Sequence, residues 1–360
     1  MSSATSLLPS ATAATAAVVA GCDAVTVTDT HLPLRIAAIF IILVGATGGA
    51  LFPVLARRSR WLKVPAGVFS FAKYFGSGVI IATAFIHLLA PGIEALESEC
   101  LSEGWRQYPY ALTFCMVSIF GIFLTELVAF RWGTSKLAKL GLHHDAHGHD
   151  AGSHAAHGPE GRLAASAEED VEAMPEKTER SLSREDNEAS ERGGESHSSI
   201  GQVIGVAILE FGVILHSILI GLTLAVDESF TTLFIVITLH QTFEGLGIGS
   251  RLAYMQLPPR YNCIPIVAAL VYGMTTPLGL AVGLGVRTTY NPASANAAIV
   301  SGVLDSVSAG ILMYTGLVEL LAHEFLFNKE MMSASNKHVL YALGSMFLGC
   351  AVMALLGRWA

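Results

Sequence analysis

The sequence predicts an all-α polytopic membrane protein, with eight transmembrane helices in a bundle and both termini extracytoplasmic. Three observations carry that expectation. The chain of 360 residues is 52% hydrophobic and 14% charged, with a mean hydropathy of +0.55, whereas soluble domains hold about a quarter charged residues. Eight stretches satisfy the length of roughly 20 apolar residues that a spanning helix needs; they lie near 34–55, 67–90, 109–130, 200–225, 230–250, 263–286, 296–321 and 338–357. Finally, the polar connectors alternate in charge along the chain.

Taken in order, residues 1–33 read as an extracytoplasmic tail rich in Ala, Thr and Ser. Its apolar run Ala11–Ala20 is too short to span, and it lacks the basic start of a signal peptide. Residues 34–130 hold helices one to three, 131–199 a long loop, and 200–360 helices four to eight. The first loop carries Arg57, Arg58, Arg60 and Lys63, the third begins with Arg131, Lys136 and Lys139, the fifth has Arg251 and Arg260, and the seventh Lys329 and Lys337. The second loop instead carries Glu94, Glu97, Glu99 and Glu103 with a single Arg106, the fourth Asp227 and Glu228, and the sixth only Arg287. Positive residues gather in cytoplasmic loops, so the odd-numbered loops face the cytoplasm. Thr275-Thr276-Pro277 in the sixth span marks an expected kink, because proline removes a backbone donor.

The formal charge of −8 is unevenly spread. Residues 131–199 hold eight Lys/Arg against fourteen Asp/Glu, a net of −6. This acidic balance gives no support for nucleic-acid binding. The same stretch lacks apolar periodicity, so it is expected to be disordered. It contains six histidines in fifteen residues: His143, His144, His147, His149, His154 and His157. Imidazole suits zinc and other late divalent ions, which makes the tract a candidate metal sensor or buffer rather than a transport site. Cys22 and Cys100 both fall on the outer side, and spacing alone leaves a disulfide and two separate thiols equally open.

Chemistry is concentrated in the fourth and fifth spans. Ile200–Val226 contains His216 and Ser217, and Thr231–Leu252 contains His240, Gln241 and Glu244. Polar groups at bilayer depth are costly, about 2.5–3.5 kcal/mol for a central Asp, Lys or Arg on translocon scales. His240 and Glu244 are four apart and share a helix face. With His216 at comparable depth on the neighbouring span, they could present two imidazoles and a carboxylate to one ion. Three protein ligands leave a coordination position open, and such an exchangeable shell suits transport. Ser217 and Gln241 could support the ligands or bind weakly, and Gly221, Gly245, Gly247 and Gly249 would let helices approach closely. His87, near the outer end of the second span and beside the acidic second loop, lies on a route of approach. Glu319 and His323, near the inner end of the seventh span with Glu324 beside them, form a candidate exit relay. Glu126 lies near the inner end of the third span, and the deeper Asp305 is positioned to meet another helix.

The motifs His216-Ser217-Ile-Leu-Ile-Gly221 and His240-Gln241-Thr-Phe-Glu244-Gly245-Leu-Gly-Ile-Gly249 resemble the fourth- and fifth-helix signatures of ZIP (Zrt/Irt-like) zinc and iron transporters. The form is nearest to the fungal and plant plasma-membrane branch. Leu34-Arg35-Ile-Ala-Ala-Ile, Ile81-Ala82-Thr-Ala-Phe-Ile-His87 and Ser308-Ala-Gly310-Ile-Leu-Met-Tyr314 agree, and the resemblance covers all eight spans. It implies metal import toward the cytosol by alternating access, with His216, His240 and Glu244 as transport ligands. Some relatives carry Glu one turn after the fourth-helix His, where this chain has Ile220, so one principal metal is expected rather than two.

The expected partners are thus a divalent metal ion and the lipid bilayer, with no nucleic acid; a homodimer is left open. Zn²⁺ ranks first as cargo, Fe²⁺ or a broad divalent range second, and no prosthetic cofactor or enzymatic activity is expected. The expected location is the plasma membrane, with a vacuolar or other endomembrane as the alternative. An intramembrane metalloprotease would need a His-Glu-x-x-His helix, which is absent. A diffusion-facilitator exporter would show six spans and a folded cytoplasmic domain after the last. Both are disfavoured.

Overall fold

A computed structural model describes residue 22 and residues 31–59, 64–139, 206–227, 229–255, 257, 261–287 and 294–359. The loop histidines 143, 144, 147, 149, 154 and 157 lie outside the described residues. Eight long helices are described: α1 (Leu32–Arg58), α2 (Gly67–Leu96), α3 (Tyr110–Lys139), α4 (Val206–Val226), α5 (Phe230–Tyr254), α6 (Ile264–Val286), α7 (Ala295–Phe327) and α8 (Asn336–Leu356). Seven of them are long and apolar enough to cross a membrane. The eighth, α5, spans 25 residues but is less apolar, because it spends positions on Thr, His, Gln, Glu, Gly and Ser. Many of these face inward: His240, Gln241, Glu244, Gly245, Gly247, Gly249 and Ser250 are all buried.

The helices run past the limits expected from apolarity alone. α2 continues to Leu96, α7 to Phe327, and α3 reaches Lys139, nine residues into the stretch assigned to the loop. Backbone hydrogen bonds do not need an apolar sequence, and the Ser-Lys-Leu-Ala-Lys end of α3 is rich in good helix formers. Ser294 and Ser335 cap α7 and α8 by accepting from the backbone N–H groups of Ala297 and His338.

Two segments change winding. Thr83–Leu89 in α2 and Thr315–Phe327 in α7 are π-helical. The expected irregularity at Thr275-Thr276-Pro277 is not where the winding changes: Pro277 sits inside one continuous helix. A transmembrane helix tolerates proline when neighbours satisfy the freed groups, and α6 is closely flanked there.

Close approach organises the bundle. A Cβ on Gly249 would fall 2.1 Å from the Ala50 carbonyl oxygen of α1, and one on Gly221 2.5 Å from that of Thr276 in α6. α1, α4, α5 and α6 thereby pack as one group. In the other group, Gly78 of α2 abuts the Met346 backbone of α8, and Gly310 of α7 abuts the Cys115 backbone of α3. The groups meet where Gly76 of α2 touches Gly247 of α5, and where Gly212 of α4 touches Ile311 and Leu312 of α7. Cys22 and Cys100 are joined in a disulfide, which ties the N-terminal tail to the α2–α3 connection.

Candidate metal centre

The site lies on α4 and α5, against the seam with the other group. One helical turn carries His240 to Glu244, and their Nε2 and Oε2 atoms are 3.9 Å apart. His216 projects from α4, its ring centroid 5.6 Å from that of His240. All three are buried, Glu244 completely. Each can offer one ligand atom such that all three lie within 4.8 Å of one another. Zinc bonds of about 2.0–2.2 Å to nitrogen and oxygen place neighbouring ligands of a tetrahedron roughly 3.4 Å apart. A contraction on the order of 1 Å, within the reach of side-chain torsions, would therefore close the shell.

The hydrogen bonding points the same way. Neither ring nitrogen of His216, nor His240 Nε2, nor Glu244 Oε1 has a hydrogen-bond partner among the described residues. A buried polar atom without a partner costs about 1–3 kcal/mol. Four such atoms on three adjacent side chains mark a place built for a cation or water.

Gln241 and Ser217, next in sequence to the two histidines, join the helices around the site. Gln241 Nε2 donates to Ser217 Oγ at 3.3 Å and to Thr276 Oγ1, joining α5 to α4 and α6. The Tyr272 hydroxyl on α6 donates to the Gln241 carbonyl at 2.6 Å and lies 3.5 Å from Glu244 Oε2. Tyr272 thus steadies the site from the third side. No spacing or motif in α6 signals this role, which only packing reveals.

His87 lies deeper than its place in the sequence suggests. It is buried in the π-wound part of α2, and its Nε2 lies 3.0 Å from the Met353 carbonyl of α8. Its ring stands edge-on to His240 with centroids 4.6 Å apart. It borders the three-residue cluster without belonging to it. Asp305, from the first third of α7, also reaches the site: its Oδ1 is 3.9 Å from His216 Nδ1.

Glu319 and His323 stand outside the cluster, half-buried in the π-wound end of α7. The next residue, Glu324, is the buried one and pairs with Lys73 of α2. Arg251 of α5 donates to Ser77 of α2 at 2.8 Å, and the Tyr314 hydroxyl donates to Glu126 at 2.6 Å. The inner ends of α2, α5 and α7 are therefore held by charged and polar contacts.

A family model described as "ZIP Zinc transporter" matches residues 32–357. Among curated proteins, the chain is 37% identical to Zinc-regulated transporter 2 of Saccharomyces cerevisiae, over 92% of this chain and 95% of that protein. It is 39% identical to Zinc-regulated transporter 1 of the same yeast, over 92% and 88%. Fe(2+) transport protein 1 of Arabidopsis thaliana is 32% identical, over 91% and 86%.

Proposed function

The chain belongs to the ZIP family, and from that premise we propose that it imports a divalent transition metal, Zn²⁺ first, into the cytosol. The observation that carries this reading is the convergence of His216, His240 and Glu244, with four unpartnered buried atoms, on adjacent helices of a bundle with seven candidate membrane spans. Two imidazoles and one carboxylate match the donors zinc prefers and leave a position free for exchange. With α4 and α5 on one side of the seam and α2 and α7 on the other, relative movement of the groups would expose the ions alternately to either face. Loop charges set the direction, from an acidic outer side toward a basic cytoplasmic one.

The plasma membrane is the proposed location, with Glu319 and His323 as an exit relay and the loop histidines as a cytoplasmic metal sensor. Fe²⁺ is the second reading, since imidazole and carboxylate accept it too and one relative is named for it. The test is radiolabelled zinc uptake in cells lacking their own zinc importers, with unlabelled Fe²⁺ as competitor. Uptake should appear with the wild type and vanish with His240→Ala or Glu244→Ala at equal surface abundance. Undiminished uptake by either variant overturns the ligand assignment, and stronger competition by Fe²⁺ than by Zn²⁺ reverses the order of cargo.

A further inference from the structure

We propose that Asp305 of α7 is a positioning residue for the transport site, accepting the Nδ1–H of His216 so that Nε2 is held toward the ion shared with His240 and Glu244. The inference rests on the metal-import reading and deepens it. Asp305 comes from the helix group across the seam, yet its Oδ1 lies 3.9 Å from His216 Nδ1. It is a carboxylate within an apolar span and is 9% exposed. Burying a carboxylate is expensive unless a partner compensates it, and among the described residues His216 pairs with it.

Geometry separates positioning from direct ligation. His216, His240 and Glu244 can bring their ligand atoms within 4.8 Å of one another, and Asp305 is not part of that group. Its Oδ1 instead stands at the Nδ1 edge of His216. Both His216 ring nitrogens lack hydrogen-bond partners among the described residues. An imidazole that binds a metal through one nitrogen has the other free to donate, and ligating histidines usually give that N–H to a carboxylate or carbonyl, which fixes the tautomer and ring orientation. At 3.9 Å the pair is too long for a hydrogen bond. Closing it takes about 1 Å of movement of the Asp305 carboxylate toward Nδ1.

The arrangement has a consequence for transport. His216 rides on α4 with one group, and Asp305 on α7 with the other. Sliding of the groups past each other would withdraw the acceptor from His216 and loosen one ligand, so affinity would depend on conformation. Loss of affinity on one side is what releases an ion.

The test is zinc uptake by the full chain in importer-deficient cells, at buffered free Zn²⁺ and normalised to surface protein. Outer-shell partners are worth about 10–100-fold in metal affinity, so Asp305→Ala should raise KM by that range. Asp305→Asn keeps an oxygen that can accept the Nδ1–H and should hold KM near the wild-type value. A purely structural role would lower maximal uptake or surface abundance and leave KM alone. Unchanged KM in Asp305→Ala, or equal impairment in the two variants, overturns the inference. His240→Ala in the same assay separates the premises: if it transports normally, the site itself is wrong, and if it is inactive while Asp305→Ala keeps its KM, only the positioning role fails.

Discussion

Arg35 shows how a single side chain can replace missing backbone donors. The last four carbonyls of a helix have no intrahelical partner, and at the end of α4 Leu224 and Ala225 are buried. From α1, one guanidinium nitrogen of Arg35 donates to the carbonyls of Leu224 and Ala225, both at 2.9 Å, and the other to that of Asp227 at 2.7 Å. The plane of Arg35 also lies over Phe230, 4.5 Å from the ring centroid. Hydrogen bonds to a charged group are worth about 1.5–3 kcal/mol each. Arg35→Ala should therefore lower the melting temperature of the detergent-solubilised protein by several degrees. Arg35→Lys should recover part of it, since an ammonium carries the charge without the planar fork. Melting followed by size-exclusion chromatography checks this, and a wild-type transition in Arg35→Ala would remove the capping role. Legibility at this scale follows distance along the chain. His240 and Glu244 are readable as a pair because four residues make one turn, a local rule. Asp305 meets His216 across a sequence separation of 89, Tyr272 reaches Gln241 from another helix, and His87 lands against His240. No local rule specifies those encounters.

Among the elements, helix count and order were legible because apolar runs of spanning length leave little choice of structure in a bilayer; α5, whose polar positions lower its apolarity, is the one that falls short of a candidate span among the described helices. The winding was not. Thr83–Leu89 and Thr315–Phe327 carry neither proline nor a glycine pair that would announce a π-helix, and the second contains a single Gly316. The added residue per turn is set by what the neighbours demand, and π-bulges often accompany functional sites; His87 and Glu324 both sit in these segments. The Gly245–Gly249 run of α5, by contrast, does what small residues suggest. Gly245 meets Ala46 and Tyr272, Gly247 meets Gly76, and Gly249 meets Ala50. The contact of α2 with α5 is the most exacting, since a Cβ on Gly76 would lie 2.2 Å from Gly247 Cα. Backbone cannot yield as a flexible side chain can, so Gly76→Ala must push the two helices apart at the seam. We expect Gly76→Ala to abolish uptake or surface expression. Gly121→Ala on exposed α3, where nothing lies within 4 Å, should leave both unchanged. Wild-type uptake by Gly76→Ala would mean that the helices separate there during normal function without cost.

At the level of the whole molecule, the disulfide and the loop charges bear on the same question independently. Positive residues in the odd-numbered loops place the tail and the α2–α3 connection outside. Those two segments hold Cys22 and Cys100, which the fold brings together, and disulfides persist in oxidising compartments rather than the cytosol. The spacing of the cysteines could not decide between a bond and two thiols, because their pairing depends on how a 78-residue separation closes. The three other cysteines supply internal controls. Cys263, at the start of α6 on the side assigned to the cytoplasm, is exposed, Cys115 is buried, and Cys350 donates to the Gly78 carbonyl within the bundle. A membrane-impermeant maleimide applied to intact cells should therefore leave the chain unlabelled. An impermeant reductant added first should expose two reactive thiols, lost in Cys22→Ser and Cys100→Ser variants. Permeabilisation without reductant should label Cys263 alone. Labelling of Cys263 on intact cells would invert the topology, and the direction of transport argued from the loops with it; labelling of Cys22 without reductant would break the disulfide assignment and leave the topology intact.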